Sequence, residues 1–395
     1  MFFGGRSPEH DVSIVTGLQA LNAIDQQKFD AFPVYISPNG NWLCGDLLWD
    51  RDNYLPQDST IEKLDSVTLD VCPNVEGTGR LLRRKRRSFL RTPEPIEFDV
   101  ALLAFHGLFG EDGRIQGLFE IANVPYTGMR LSASSVCMDK AATKRALAGT
   151  GISVLPSVII RRPPSGFFPT LSDIERQLSN MSFPAIVKPV HLGSSIGVAK
   201  ASSLEEVRAS LPAIFRLDEE ALIEPFVQNM VEYNIAVRSE DSEIQTSAIE
   251  QPKSAEDLLD FKAKYLSTGG DKTGRKLPGT SSEGMLSLTR TINPELSPGT
   301  SAKIREWARI CFSVVNGSGA PRIDFLSDGR SGDIWLNEVN PCPGSLGFFL
   351  WEAAEKPLLF TTFLTSLIDE AIRLHRAAQL PQDPTQVEAR LFKHP

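Results

Sequence analysis

The sequence lacks the features of a membrane or secreted protein. No apolar run reaches the roughly 18 residues that a spanning helix needs, and the N-terminus has no charged leader followed by an apolar run and a cleavage site. The 5 cysteines are scattered without a CxxC pair, which is typical neither of a disulfide framework nor of a zinc site. These absences favour a cytoplasmic protein in a reducing compartment.

Basic charge is also scarce, because the formal net charge is -8. Nucleic-acid scaffolds bind phosphates through clustered Lys and Arg, so an acidic chain is not expected to be one. Residues 80–87 form one basic run, but aromatic interleaving is limited to Phe89, and we favour a solvated loop or an oligomer contact there. No internal repeat or low-complexity segment is evident.

The remaining composition is ordinary for a globular protein, with 41% hydrophobic and 23% charged residues over 395 positions. This length is sufficient for two or three domains, each with its own core. The apolar segment before Gly4 is much shorter than the first strand of a doubly wound α/β layer. We expect either an unusually short first strand or a sequence that begins inside one.

The most informative stretch lies at residues 321–344. Apolar and polar positions alternate on both sides of a glycine-rich turn, which predicts a β-hairpin with one buried face formed by Ile323, Phe325, Ile334 and Leu336.

The same alternation brings polar side chains together at the end of this hairpin. Arg322 and Asp324 share a face of the first strand, and Glu338 and Asn340 share a face of the second. Two carboxylates and an amide oxygen are hard ligands of the kind that Mg²⁺ prefers, with water and phosphate completing its shell. From these residues alone, a nucleotide-binding metal site and a solvated polar hairpin remain equal alternatives.

Three other positions are candidates for chemistry. Glu9 precedes a helix predicted from residue 11, where it either binds a ligand or caps the helix. His106 follows a continuous apolar strand at 99–105, where open α/β sheets bind ligands, although a lone His more often serves packing. Lys188 ends another apolar strand, and the GSSIG loop at 193–197 has the small residues that let backbone N–H groups fold over phosphates. That loop matches neither a Walker A nor a GxGxxG motif.

Helices are predicted over residues 134–150, 171–178, 204–211, 304–314 and 358–374. The long polar stretch at 251–291 is predicted to be either an active-site lid or a disordered segment.

Eight short motifs follow one another along the chain: GGRSPE at 4–9, HG at 106–107, MDK at 138–140, VKP at 187–189, GSSIG at 193–197, AKY at 263–265, RID at 322–324 and NEVN at 337–340. In this order they resemble the D-alanine–D-alanine ligases of the ATP-grasp superfamily. The resemblance runs from Gly4 to about Trp351.

The resemblance implies a mixed α/β (α+β) ATP-grasp fold of three domains. A Rossmann-like N-terminal domain would occupy residues 1–130, a central ATP-grasp domain 131–226 and a C-terminal ATP-grasp domain 227–378, followed by a polar tail at 379–395. It also implies an enzyme that joins two D-alanines with ATP through an acyl phosphate, for peptidoglycan synthesis. The family is commonly homodimeric through its N-terminal domain.

The resemblance assigns the functional residues to three groups. The ligands of two Mg²⁺ ions, for which Mn²⁺ could substitute, are Asp324, Glu338 and Asn340. The ATP-binding residues are Lys140, Lys188, Ser194, Ser195, Glu224, Phe226, Val227, Glu232 and Lys264. The catalytic and substrate-binding residues are Glu9, His106, Ser194, Tyr265, Arg322, Gly344 and Ser345.

Within these groups the implied roles are specific. Glu224 begins an adenine hinge, and Glu232 meets the ribose although one extra residue separates the two. Glu9 binds the ammonium of the first D-alanine, and Ser194 and Tyr265 link it to the closed lid. Arg322 stabilises the oxyanion. Related ligases that make depsipeptides lack the lid tyrosine, so a dipeptide product is favoured.

One departure affects the acceptor site. Phe349 stands about where the family has a serine that holds the carboxylate of the second D-alanine. Either Ser345 substitutes for it, or the pocket takes a larger or less polar substrate. Three hypotheses follow: a D-alanine–D-alanine ligase with a variant acceptor pocket, an ATP-grasp ligase making another dipeptide or amide, and a nucleotide-binding module without catalysis.

Overall fold

The computed structural model describes residues 1–54, 63–72, 77–84, 94–164, 168–240, 243–253 and 290–379. Within these ranges the strands form three sheets, and none of the helices is long and apolar enough to cross a membrane. The predicted domain boundaries remain a prediction.

The first sheet has six strands in chain order, and only its first pairing is parallel. Its strands are β1 (Phe2–Gly4), β2 (Val34–Ile36), β3 (Trp42–Cys44), β4 (Asp65–Leu69), β5 (Gly79–Arg83) and β6 (Ile96–Phe98). Short 3-10 helices span Asp46–Trp49 and Arg51–Tyr54. Helix α1 (His10–Ala23) packs on β1, and α2 (Arg114–Ile121) follows later in the chain.

Strand β1 has three residues in this sequence, as both of the alternatives stated above predict. Gly4 and Gly5 have φ of +93° and +101°, so the chain leaves the sheet after three residues. The predicted strand at 99–105 is wrong as a continuous strand. It forms two isolated parallel bridges, from Leu103 to Phe2 and from Ala101 to Tyr126, so its residues pair with two different neighbouring segments.

The second sheet has the antiparallel order β7-β10-β8-β9. Its strands are β7 (Val158–Arg161), β8 (Ala185–Pro189), β9 (Ala199–Ala201) and β10 (Glu220–Pro225). Helices α5 (Leu171–Gln177) and α6 (Leu204–Ile214) bear out the predictions near 171 and 204.

The predicted single helix at 134–150 is wrong, because two short helices occupy this region. Helix α3 spans Leu131–Met138 and α4 spans Lys140–Ala146. Asp139 separates them with φ of −92° and ψ of 104°, and its carboxylate accepts a hydrogen bond from the Ala142 N–H. An N-cap therefore restarts the chain as a new helix and redirects Lys140.

The third sheet has the antiparallel order β13-β12-β11-β14-β15. Its strands are β11 (Met230–Glu240), β12 (Glu243–Pro252), β13 (Arg290–Ile292), β14 (Arg322–Asp328) and β15 (Ile334–Asn340). The accompanying helices are α7 (Pro298–Val314), α8 (Phe348–Glu352) and α9 (Phe360–Ala378), and a 3-10 turn covers Gly344–Gly347.

The predicted hairpin is confirmed as β14 and β15. Its four alternating apolar residues, Ile323, Phe325, Ile334 and Leu336, are at most 4% exposed. The register shifts between Asp324 and Phe325, so that Asn337 is an extra residue on β15. This β-bulge interrupts the alternation of side chains along β15. As a result Glu338, rather than Asn337, pairs with Asp324.

Candidate active site

The polar end of the β14–β15 hairpin forms the centre of the candidate site. Asp324 pairs directly with Glu338 across the strands, and Arg322 pairs with Asn340. Arg322 donates two hydrogen bonds of 2.7 Å to the Asp324 carboxylate, and the Asn340 amide donates a third of 2.8 Å. The four predicted side chains therefore lie together, as the sequence predicted.

Asp324 lies in a crowded field of charges. Burial raises the pKa of its carboxyl to about 6 against the lowering effect of Arg322, and the carboxylates of Glu232 and Glu338 add to the rise. A carboxylate has about four acceptor positions, and the hydrogen bonds above use three of those on Asp324.

These residues fit a divalent cation. The facing carboxylates of Asp324 and Glu338 repel each other, and a divalent cation bound between them would remove that repulsion. Among the described residues no group of three or more His, Cys, Asp or Glu could hold a metal. The predicted ligand set of two carboxylates and the Asn340 amide stays a prediction.

Lys140, the first residue of α4, connects this centre to the loop at 193–197. Its ammonium donates to the Leu192 carbonyl at 2.5 Å and lies 3.4 Å from a Glu338 carboxylate oxygen. The side chain is buried, so it presents a fixed positive charge beside the carboxylates.

A second buried charge cluster is centred on Glu224, near the end of β10. Its carboxylate contacts the Lys188 ammonium and accepts a 2.7 Å hydrogen bond from Lys144. Burial alone would raise the pKa of Glu224, but the two ammonium groups lower it to about 2. Lys188 also donates to the bulged Asn337 at 3.0 Å, so the cluster is tied to the hairpin. Lys144 was not predicted, although it lies one helical turn after Lys140.

The loop at 193–197 reaches across to the start of α1. Ser194 and Ser195 have φ of 54° and 57°, a left-handed conformation that non-glycine residues rarely adopt. The Ser194 hydroxyl donates to the Glu9 carboxylate. Glu9 occupies the N-cap position of α1 but makes no side-chain capping hydrogen bond there. The side-chain capping interpretation of Glu9 is therefore wrong, and its ligand-binding role stays a prediction.

His106 is buried behind α1. Its Nε2 lies 2.8 Å from the Thr16 hydroxyl, which accepts a hydrogen bond from the Ser345 N–H at 3.0 Å. Burial lowers the pKa of His106 to about 4, despite a hydrogen bond to the Cys342 backbone. This lowered pKa favours the neutral imidazole, and Thr16 of α1 links His106 to Ser345 in the turn at Gly344–Gly347.

Glu111 belongs to the same region and was missed from the sequence. Its carboxylate accepts hydrogen bonds of 2.6 Å from the backbone N–H groups of Gly107 and Cys342. Burial raises its pKa to about 8, and the neighbouring Glu9 carboxylate contributes. The stretch GLFGEDG shows an acidic residue after a strand, but its partner Cys342 lies 231 residues away, so no local pattern predicts the contact.

The predicted adenine hinge follows Glu224. The Phe226 N–H donates to the Pro184 carbonyl at 2.9 Å and is therefore already used, while the hinge role of Val227 stays a prediction. Val227 packs with Leu155 and Leu326 in a small apolar cluster. Glu232 lies on β11 opposite Leu326, close enough to Asp324 to affect its pKa.

At the acceptor end, the turn at Gly344–Gly347 holds Ser345 and Leu346 at φ of 54°. Beyond it, the ring of Phe349 lies 4.7 Å from the guanidinium carbon of Arg290, which was not predicted to be at the site. The lid residues Lys264 and Tyr265 lie outside the described residues.

Comparison with known proteins shows the family. A model described as D-ala D-ala ligase N-terminus matches residues 1–129, and one described as D-ala D-ala ligase C-terminus matches residues 147–369. A D-alanine–D-alanine ligase of Thermosipho melanesiensis is 30% identical over 390 residues, which are 98% of this chain and 97% of that protein.

The chain belongs to the D-alanine–D-alanine ligase family.

Solved structures agree with this assignment. A ligase of this family from Coxiella burnetii aligns with a TM-score of 0.74 over 95% of this chain and 94% of that one, at 23% identity, which confirms the fold. A D-Ala:D-Ser ligase from Enterococcus faecalis aligns with a TM-score of 0.70 at 26% identity, over 95% of this chain and 98% of its own. The ATP-grasp fold is therefore confirmed, while the D-Ala:D-Ser ligase shows that proteins of this fold differ in their second substrate.

Proposed function

We propose that this D-alanine–D-alanine ligase family member uses ATP to join two D-alanines into D-alanyl-D-alanine for peptidoglycan precursors. The observation that carries the proposal is the end of the hairpin, where Asp324 faces Glu338 with Arg322 and Lys140 beside them. Such a centre can bring the two anions of the reaction, a carboxylate and a phosphate, into contact.

In the proposal, ATP lies between the second and third sheets. Lys140 and Lys188 contact its phosphates with Ser194 and Ser195 from the loop at 193–197. The Glu224 carboxylate, the Pro225 carbonyl and the Val227 N–H would hold the adenine beside Phe226, and Glu232 would meet the ribose. The clustering of Lys188 with Glu224 supports this placement, because the carboxylate holds the ammonium in position beside the hairpin.

Asp324, Glu338 and Asn340 would hold the Mg²⁺ ions, or Mn²⁺. Bound there, divalent cations would neutralise charge on the phosphates. The remaining chemistry is assigned to the residues of the chain.

The proposed reaction has two steps. A carboxylate oxygen of the first D-alanine attacks the γ-phosphorus, and the bond to ADP breaks. The amine of the second D-alanine then attacks the acyl carbon, loses a proton, and displaces phosphate that carries away the attacking oxygen. Arg322 stabilises the oxyanion of this second step.

Glu9 would bind the ammonium of the first D-alanine, and its contact with Ser194 supports a position at the junction of α1 and the loop. The neutral His106 would line that site without adding charge. Lys264 and Tyr265 would complete the site from the lid, and Gly344 and Ser345 would face the second substrate.

The second candidate function is a ligase of the same chemistry that uses a different acceptor. Phe349 favours it, because this residue replaces the serine expected to hold the acceptor carboxylate. For the assembled protein we propose a cytoplasmic homodimer formed through the N-terminal region, which light scattering of the purified protein would test.

The deciding experiment measures ADP release from purified protein with ATP and Mg²⁺, using D-alanine alone and then D-alanine with a panel of amino acids. Release with D-alanine alone, together with a D-alanyl-D-alanine product, is expected. Release only in the presence of another amine would instead establish the second candidate. Nucleotide binding without release would support a non-catalytic module and refute both.

A further inference from the structure

Arg290, the first residue of β13, has an unusual set of contacts near Phe349. Its Nη1 donates to a Glu250 carboxylate oxygen at 2.8 Å, and its guanidinium carbon lies 4.7 Å from the centroid of the Phe349 ring. Its Nε is buried without a hydrogen-bond partner among the described residues. The side chain as a whole remains 19% exposed, so a small ligand can reach it.

Glu250 connects this arginine to the reaction centre. Its other carboxylate oxygen accepts a 3.0 Å hydrogen bond from Asn234 and lies 3.8 Å from Nη1 of Arg322. One buried carboxylate therefore separates the two guanidinium groups, of which Arg322 is already engaged with Asp324. Asp324 offsets the charge of Arg322 and Glu250 that of Arg290, so the group that remains for an anion is the Nε–H of Arg290, which has no partner among the described residues.

We propose that Arg290 binds the carboxylate of the acceptor amino acid, in place of the serine that Phe349 replaces. The inference rests on the proposed ligase function. A guanidinium can hold one carboxylate on one edge while another edge binds a second carboxylate in a bidentate manner. The Phe349 ring packs against the guanidinium face and fixes its plane, so the loss of the serine and the presence of Arg290 are parts of one arrangement.

A purely structural role for Arg290, in which it only neutralises Glu250, predicts something different. It would affect every acceptor equally, because the substrate would not contact the guanidinium. A substrate contact would instead affect only acceptors that carry a carboxylate.

The test is a competition between D-alanine and D-alaninamide as acceptors, with D-alanine as the donor and products measured by mass spectrometry. D-alaninamide lacks the carboxylate, so it cannot act as a donor, and the product ratio reports the relative kcat/KM of the acceptors. We expect the preference for D-alanine to fall roughly ten- to a hundredfold in Arg290→Gln. An unchanged ratio, with or without a lower rate, overturns the inference.

Two further variants strengthen the test. Adding Phe349→Ser to Arg290→Gln should restore much of the preference for D-alanine, because the serine hydroxyl returns. If the preference does not recover, Arg290 does not take the role of that serine. If Arg290→Gln does not fold, Arg290→Gln with Glu250→Gln removes both charges, and the same ratio decides. Absence of any dipeptide from the wild-type protein would refute the proposed function instead, so the two failures are distinguishable.

Discussion

At the residue scale, the contact between Glu9 and Ser194 is the most specific feature of the site. The two residues are 185 positions apart and belong to α1 and the loop at 193–197. From the residues alone Glu9 was ambiguous between a cap and a ligand-binding group, and only the family resemblance predicted its partner. Long-range contacts of this kind leave no periodic signal in a sequence.

Replacing Glu9 with Gln should weaken binding of the first D-alanine. Loss of a charge-assisted contact to the substrate ammonium is worth about 1.5 to 3 kcal/mol, so KM for the donor site should rise roughly ten- to a hundredfold. ADP release as a function of D-alanine concentration measures this. Asp11→Asn, which removes an exposed carboxylate in the first turn of α1, is the matched control. A donor KM equal to that of the control would refute the role of Glu9.

The Glu224 cluster makes a second prediction. Lys144→Gln should destabilise the protein by about 1 to 3 kcal/mol, because the buried carboxylate keeps only Lys188 as a charged partner. Adding Glu224→Gln should recover part of the loss in a double-mutant cycle measured by urea unfolding. Strictly additive effects would show that the two residues do not interact.

At the element scale, predictions from periodicity succeeded where one face of an element is buried. The hairpin was predicted because its four apolar residues alternate over two strands, and α5 and α6 were predicted near their observed bounds. The bulge at Asn337 and the break at Asp139 were not predicted. Both depend on a single residue that changes the chain direction, and the apolar pattern continues through such points.

The cap at Asp139 can be tested by Asp139→Ala. We expect a loss of about 1 kcal/mol of unfolding free energy, because the Ala142 N–H would lose its side-chain acceptor. Urea unfolding measures it, with Glu175→Ala on the exposed face of α5 as the control. Equal stability of the two variants would contradict the capping role.

The base of the loop at 193–197 should make stability depend on pH. His191 lies 2.9 Å from the Asp218 carboxylate, and this hydrogen bond raises the pKa of His191 above 6.5 against the effect of burial. Asp139 and Glu220 also favour the charged imidazole. A raised folded-state pKa means that the stabilisation is complete below the unfolded value and is lost as pH rises through the folded value.

The stability difference between wild type and His191→Gln should therefore be larger at about pH 6 than at about pH 9. Thermal unfolding at the two pH values measures it. A difference that does not change, or that grows with pH, would show that the imidazole is not charged in the folded state.

At the scale of the whole molecule, the site is assembled from all three sheets. The hairpin supplies the predicted metal ligands, the second sheet supplies Lys188 and Glu224, and α1 behind the first sheet supplies Glu9. The sequence motifs identified most of these residues: GGRSPE leads into α1, VKP ends β8 and NEVN ends β15. Arg290 and Glu111 escaped prediction because their importance arises only from contacts between distant segments.

An acyl-phosphate intermediate requires that one oxygen of the first D-alanine leave with the phosphate. The most direct test uses D-alanine whose carboxylate carries heavy oxygen, followed by mass analysis of the inorganic phosphate released with ADP. We predict one heavy oxygen in each phosphate formed with D-alanyl-D-alanine. Dipeptide formed with phosphate free of the label would contradict it.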